Sequence, residues 1–219
     1  MQSRINELIK ISRIEAEKWI SYGLKKKEEK EIKDLLSEGN EINLIESFYK
    51  KLEFGTGGMR GLIGIGSNRI NSYTISLATQ GLCNYLNRIS KDKKRSAVIA
   101  YDSRRFSKEF GHQTAKIFSA NNIKSYIFSD LRPTPELSFA VRELNSSCGI
   151  VITASHNPKE YNGYKVYWND GGQITAPHDK NIISEVKKIT DFNQINFNFN
   201  SQLCLKSKPL LKPNLKYPK

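Results

Sequence analysis

The run Cys148-Gly149-Ile150-Val151-Ile152-Thr153-Ala154-Ser155-His156-Asn157-Pro158 changes character halfway along. Its mostly apolar first half, Cys148 to Ile152, reads as a buried parallel strand. The second half is small, polar and turn-forming, which places Ser155 on a loop at the strand's carboxyl end. In open α/β sheets that edge is where ligands bind. Lys165 follows a short way on, so a hydroxyl, an imidazole and an amine fall close together.

Upstream, Ala97-Val98-Ile99-Ala100 is a second short buried strand, ending at Tyr101-Asp102-Ser103-Arg104-Arg105-Phe106-Ser107. Ser107 is placed to cap the next helix, whose core face is Phe110, Ala115, Ile117 and Phe118. Ile123–Phe128 is the next strand. Arg132-Pro133-Thr134-Pro135-Glu136 then opens a helix, with Pro135 suited to its first turn. Strand, helix, strand, helix, strand is the pattern of a parallel sheet with right-handed crossovers. Downstream of the serine, Asn162-Gly163 reads as a turn and Tyr164–Trp168 as a strand. Asn169-Asp170-Gly171-Gly172 is a second turn, with Gln173-Ile174-Thr175 returning as a hairpin. A helix around residues 177–189 closes the unit. The expected fold is α/β, a three-layer α/β/α sandwich with a mostly parallel sheet, preceded by an N-terminal helical extension.

That extension covers residues 1–52. Over residues 4–20, Ile5, Leu8, Ile9, Ile14 and Trp19 recur near helical spacing, with Ser3 available as N-cap. A short helix is expected over Glu31–Leu36, ending near Gly39, and another over Ile42–Leu52. The pattern breaks at Glu53-Phe54-Gly55-Thr56-Gly57-Gly58-Met59-Arg60-Gly61. Its glycines let backbone approach a ligand closely, and Arg60 can fork onto a phosphate. An ordinary glycine-rich turn has the same composition, and the run fits neither the P-loop nor the dinucleotide fingerprint. Gly64, Gly66 and Arg69 continue this irregular surface. Tyr73–Ile89 is a helix with Ile75, Ala78, Leu82 and Leu86 inward, and Lys91 to Arg95 a basic connection. The α/β domain is expected to run over residues 53–190. Residues 191–219, rich in asparagine, lysine and proline, read as a tail or interdomain linker.

The chain has 219 residues, is 38% hydrophobic and carries a formal charge of +13. Such a charge points to an anionic partner. No basic run is interleaved with aromatics, so nucleic acid is not the expected one. There is no apolar stretch long enough for a membrane span. Cys83, Cys148 and Cys204 lack metal spacing and read as reduced thiols of a cytoplasmic protein.

Serine beside histidine first suggests acyl hydrolysis. The nucleophile elbow needs Gly-x-Ser-x-Gly, however, and Ser155 stands between Ala154 and His156. His112 and His178 fall on helices, at positions expected to be exposed. Phosphoryl transfer fits better, because a serine accepting a phosphoryl group needs cations to neutralise developing charge and an acid or base for the sugar hydroxyl. Arg60, His156 and Lys165 supply these. Taken singly, Lys165 reads as a solvent-facing strand lysine and His156 as a loop-bracing residue.

Thr153-Ala154-Ser155-His156-Asn157-Pro158, with Tyr161-Asn162-Gly163-Tyr164-Lys165, resembles the phosphoserine loop of the α-D-phosphohexomutases. Phe54 to Gly61 is similar to that family's first arginine-bearing loop, Tyr101 to Arg104 to its Asp-x-Arg segment, and Pro133-Thr134-Pro135 to its proline pair. Ala78-Thr79-Gln80-Gly81-Leu82 and the helices before Phe54 resemble the longer phosphoglucomutase/phosphopentomutase branch. The likeness spans about residues 15–190. It implies that Ser155 is phosphorylated and passes its phosphoryl group to a sugar monophosphate through a hexose 1,6-bisphosphate. Ser155, His156, Lys165 and Arg60 would be catalytic. Thr56, Gly57, Arg60, Asn157 and Arg104 would hold substrate or phosphate. The implied cofactor is Mg²⁺, bound by the serine's phosphate and by aspartates of an Asp-Gly-Asp-Gly-Asp-Arg run. No Asp-x-Asp-x-Asp run occurs in the chain. The resemblance is thus to the first domain only. A complementary chain carrying the rest is one expected partner, and a truncated, inactive anion-binding domain is the alternative reading.

Overall fold

The computed structural model describes residues 2–55, 57–89 and 95–207. Three helices, α1 (Gln2–Ser21), α2 (Lys26–Leu36) and α3 (Glu41–Phe48), form the N-terminal layer. The α/β unit follows as β1 (Gly58–Leu62), α4 (Ser72–Ile89), β2 (Ser96–Tyr101), α5 (Ser107–Ala120), β3 (Lys124–Phe128), α6 (Thr134–Glu143), β4 (Cys148–Ile152), β5 (Tyr161–Trp168), α7 (His178–Lys188) and β6 (Cys204–Ser207).

The six strands form one sheet in the order β1-β5-β4-β2-β3-β6. The β4–β2, β2–β3 and β3–β6 pairs are parallel, whereas β5 runs antiparallel to both β4 and β1. The chain steps outward from β2 to β3 and back across β2 to β4. Right-handed crossovers in opposite directions put their helices on opposite faces, and α5 and α6 do lie on different faces. One core joins β-strand residues Ile99, Ile150 and Val166 to Leu82 of α4, Phe118 of α5 and Ile182 of α7. The other joins Val98 and Val151 to Leu137, Ala140 and Val141 of α6. The three-layer α/β/α expectation is met.

The helical layer has its own cluster around Trp19, Ile32, Leu44 and Phe48. In α1 the inward residues are Ser12, Ala16 and Trp19, while Ile5 and Ile14 are exposed. The isoleucines were expected inward, but small residues on the packed stripe let α1 lie close to α3. Helix α2 starts earlier than expected, at Lys26, and α3 ends earlier, at Phe48. There Ser67 takes over the chain's polar groups: its Oγ donates to the Lys50 carbonyl and its carbonyl accepts from Leu52 N, at 2.9 and 2.7 Å.

Several turn assignments are corrected. The glycine run is not wholly irregular, since β1 begins at Gly58. Asn162-Gly163 is no turn; both residues lie inside β5. Asn162 is buried with Nδ2 donating to Arg105 O and Ser107 Oγ. Gly163 is needed because a Cβ there would stand 2.6 Å from Thr153 O and 2.9 Å from Met59 O. Ser107 is not the N-cap of α5; Phe106 occupies that position at φ 62°, and Ser107 Oγ donates to Asp102 Oδ1 at 2.7 Å. The Gln173 return makes only an isolated bridge to Tyr167. Residues 191–207, expected to be a tail or linker, pack on the unit. Phe192 inserts between Trp19, Tyr22 and Tyr73, and β6 extends the sheet beside β3. A single aromatic and a short strand anchor this polar stretch. Lys91 to Lys94 and residues 208–219 lie outside the described residues.

All three cysteines are free, and burial pushes the Cys83 and Cys148 thiols up. No helix among the described residues is long and apolar enough to cross a membrane.

Candidate active site

The site is assembled by pairing register. In β5, Tyr164 and Val166 point into the core, so strand alternation turns Lys165 to the opposite face. Lys165 lies opposite Val151 of β4 on one side and Gly58 of β1 on the other. Arg60 of β1 faces Gly163 of β5. The missing side chain at Gly163 lets the Thr153 and Met59 carbonyls close in on β5, and both cations open onto the loop that leaves β4.

That loop is bent at Ser155. Ser155 is exposed and has φ 57°, a left-handed conformation that costs an L-residue roughly 1–2 kcal/mol. Its N–H donates to Thr153 Oγ1 at 3.0 Å, a local side-chain turn that starts the bend. Asn157 N closes the bend onto the Ala154 carbonyl at 3.1 Å. Lys165 Nζ then reaches Ser155 Oγ at 2.5 Å. Arg60 Nη1 donates to Asn157 Oδ1 at 2.9 Å, which brings a second cation to the same loop. Partial burial, and then the neighbouring Arg60, pull the Lys165 pKa below its ordinary 10.5.

Of the expected site residues, Ser155, Lys165, Arg60 and Asn157 are thus brought together. His156 is exposed beside them. Gly57 is buried, with its carbonyl accepting from Val166 N at 3.0 Å, so it secures β1 to β5. Thr56 lies outside the described residues. Arg104 is turned inward. Its Nη1 donates to the carbonyls of Pro158 and Tyr161 at 2.8 and 3.1 Å, and its Nη2 to those of Ser155 and Asn157 at 2.8 and 2.6 Å. Its Nε faces Asp102 Oδ2 at 3.4 Å. His112 and His178 are half-buried, not exposed: His178 stacks on Trp168 and shares a 2.7 Å hydrogen bond with Tyr85, and His112 neighbours the Tyr101 ring.

The residues that sequence reasoning passed over are Asp102, Ser107 and Asn162. Asp102 Oδ1 accepts from Arg104 N and Ser107 Oγ, and Ser107 Oγ accepts from Asn162 Nδ2. Asp102 two residues before Arg104 was the available signal, since aspartates bond backbone N–H groups at that spacing.

The donor set around Ser155 does not suit Mg²⁺ by itself. Hard dications take several carboxylate or carbonyl oxygens, and the charged neighbours here are Lys165, Arg60 and Arg104. Among the described residues no group of three His, Cys, Asp or Glu side chains is placed to hold a metal. The arrangement is chemically an anion site: a nucleophilic hydroxyl with an ammonium on it and a guanidinium alongside.

The chain is also similar to known proteins. Residues 51–193 match the family profile described as phosphoglucomutase/phosphomannomutase, alpha/beta/alpha domain I. A phosphopentomutase of Pongo abelii is 44% identical over 164 residues, covering 72% of this chain and 27% of that protein. A phosphoglucomutase of Staphylococcus aureus (strain MRSA252) is 37% identical over 202 residues, covering 92% of this chain and 36% of that protein. The open form of pp63/parafusin, a Paramecium phosphoglucomutase, superposes with a TM-score of 0.54 at 24% identity, covering 64% of this chain and 27% of that one; this last likeness concerns fold alone. The chain therefore spans roughly a third of the length of these relatives.

Proposed function

Because the chain belongs to the phosphoglucomutase/phosphomannomutase family, through its α/β/α domain I, we propose that it provides the phosphoserine domain of a phosphosugar mutase. The observation that carries this reading is the Lys165 Nζ–Ser155 Oγ contact with Arg60 beside it. In the proposed step Ser155 Oγ forms a bond to phosphorus as the bond from phosphorus to a sugar oxygen breaks. The hydroxyl proton passes to the departing sugar oxygen. In the reverse direction the phosphoryl group returns to the sugar and the proton to Oγ.

The chain's own residues serve that transfer electrostatically. Preorganised cations stabilise the charge that develops on the transferring group and need no reorientation during reaction. Lys165 is held on the reacting oxygen itself. Its lowered pKa makes it a better proton carrier than an ordinary lysine. Arg60 neutralises phosphoryl oxygens and, through Asn157, ties the loop to β1. His156 stands beside the serine as a further donor, and the partner is a sugar phosphate. A hexose moving phosphate between its 1- and 6-positions is the substrate proposed. Mg²⁺ is expected from the family, but the residues here do not build its site, so no step is routed through it.

The test is mass spectrometry of Ser155 after incubation with hexose 1,6-bisphosphate and Mg²⁺, alone and with the remaining domains of a homologous phosphoglucomutase supplied in trans. Phosphate on Ser155 in either mixture, absent from Ser155→Ala, supports the reading. No phosphate in both overturns it and favours the second reading, an anion-binding or assembly domain without catalysis. What supports that second reading is the cationic lining of the site, Lys165, Arg60 and Arg104, which suits an anion whether or not it reacts. Interconversion of hexose 1- and 6-phosphates is expected in the mixture.

A further inference from the structure

A guanidinium carries five N–H donors in a fixed planar fork. In Arg104 four of the five are engaged by main-chain carbonyls spread over Ser155 to Tyr161, and Nε lies in an ion pair with Asp102. The side chain is only 14% exposed. A phosphate arriving at the serine would find the terminal N–H groups of Arg104, those of the fork, already taken by carbonyls. Four carbonyl oxygens converging on one point repel one another, and only a cation between them makes the arrangement favourable. The guanidinium is itself anchored: Asp102 is fixed by Arg104 N and Ser107 Oγ, and Ser107 by Asn162 inside β5.

We propose that Arg104 is a positioning residue that organises the serine loop from within, rather than a ligand of substrate phosphate. It draws the Ser155 carbonyl inward, which holds this residue in its left-handed conformation and sets Oγ against Lys165. Each trans peptide places its N–H opposite its carbonyl. The same pull therefore turns the His156 N–H away from the guanidinium, leaving it available to an incoming anion. This inference deepens the phosphoserine reading and takes its functional meaning from it.

The experiment compares the full chain with Arg104→Ala and Arg104→Lys by amide hydrogen exchange, reading residues 155–161 against the core strands β2 and β4. Charge-assisted hydrogen bonds at this number of sites predict at least about tenfold faster exchange in the loop of the alanine variant, with the strands little changed. Millimolar guanidinium should restore protection to Arg104→Ala, while ammonium at the same concentration should not. Arg104→Lys should fall between, because an ammonium has fewer donors and no fork. Unchanged loop exchange, a rise shared equally by the strands, or a lysine variant matching the native chain would each overturn the proposal. Ser155 phosphorylation is read in parallel with the trans-supplied domains. Loading of Arg104→Ala at the native rate would remove the positioning role. Failure of the native chain to load would sink the phosphoserine reading instead, and the exchange arm would still decide what Arg104 does.

Discussion

The serine loop and the helical layer belong to one chain but are held by different forces. Around Ser155 the restraints are hydrogen bonds, many of them from charged groups, and Ser155, Lys165, Arg60 and Asn157 are exposed or half-buried. Around Trp19 the restraints are aromatic edges and apolar packing against Phe48, Tyr73 and Phe192. The second region also encloses a cavity of about 550 Å³, lined by Trp19, Phe54, Met59, Leu77, Val186 and Phe192 among others. Volume and apolar lining usually mark a ligand site. Here they do not coincide with the chemistry, because none of Ser155, Lys165 or Arg60 borders that cavity. Oriented charge, more than enclosed space, identifies where this molecule can react.

Substitutions can break that contrast. Trp19→Ala should have the largest effect on folding, about 3–5 kcal/mol in urea unfolding, since it empties the centre of the aromatic cluster. Ser155 phosphorylation, scored with any destabilised fraction discounted, should persist. If loading vanishes while the chain stays folded, the two regions are coupled and the contrast fails. Gly163→Ala should cost about 1–3 kcal/mol, because its Cβ would press on two carbonyl oxygens at the site's floor. Unlike Trp19→Ala, it should also slow loading of the folded chain, by displacing Thr153 from β5.

Ser155→Gly should raise stability by roughly 1 kcal/mol, because glycine adopts the left-handed conformation without strain. It should remove phosphorylation completely. A loss of stability on thermal unfolding would show that the loop is held by the serine side chain and not bent against its preference. The smallest effect is expected from Arg60→Ala. Burial is the larger cause of the lowered Lys165 pKa, and Arg60 the smaller. The lysine titration followed by NMR should therefore shift upward in Arg60→Ala, yet stop short of 10.5. The sign is fixed by linkage. A folded pKa below the unfolded one means the unfolded chain binds more protons in the window just under 10.5, so stability rises with pH there. That rise should shrink in Arg60→Ala.

Much of the architecture was legible because burial writes itself into composition. Cys148–Ile152 could hardly be anything but an interior strand, and Pro135 marked the start of α6. The Ser155–Lys165 pairing was legible because both lie on one short hairpin-like segment. What escaped were features set by contacts distant in sequence. Asn162-Gly163 has turn chemistry, but the β1 backbone and Ser107 fix it as strand. The acceptors of Arg104 are main-chain carbonyls, which every residue possesses, so no side-chain pattern announces them. Phe192 and β6 were hidden because a polar, asparagine-rich stretch needs only one aromatic and four strand residues to dock.

The antiparallel course of β5 has one more consequence. The paired strands β1 and β5 deliver their cations, Arg60 and Lys165, by parity and not by loop shape. Inserting one residue ahead of Tyr164 in β5 would exchange faces, sending the ammonium toward the apolar core and the Tyr164 ring toward the serine loop. The count of residues between Gly163 and Lys165 therefore sets which face the ammonium takes. The site's positive charge is in this sense an address counted in sheet steps, and it is protected by the same core that makes the domain fold.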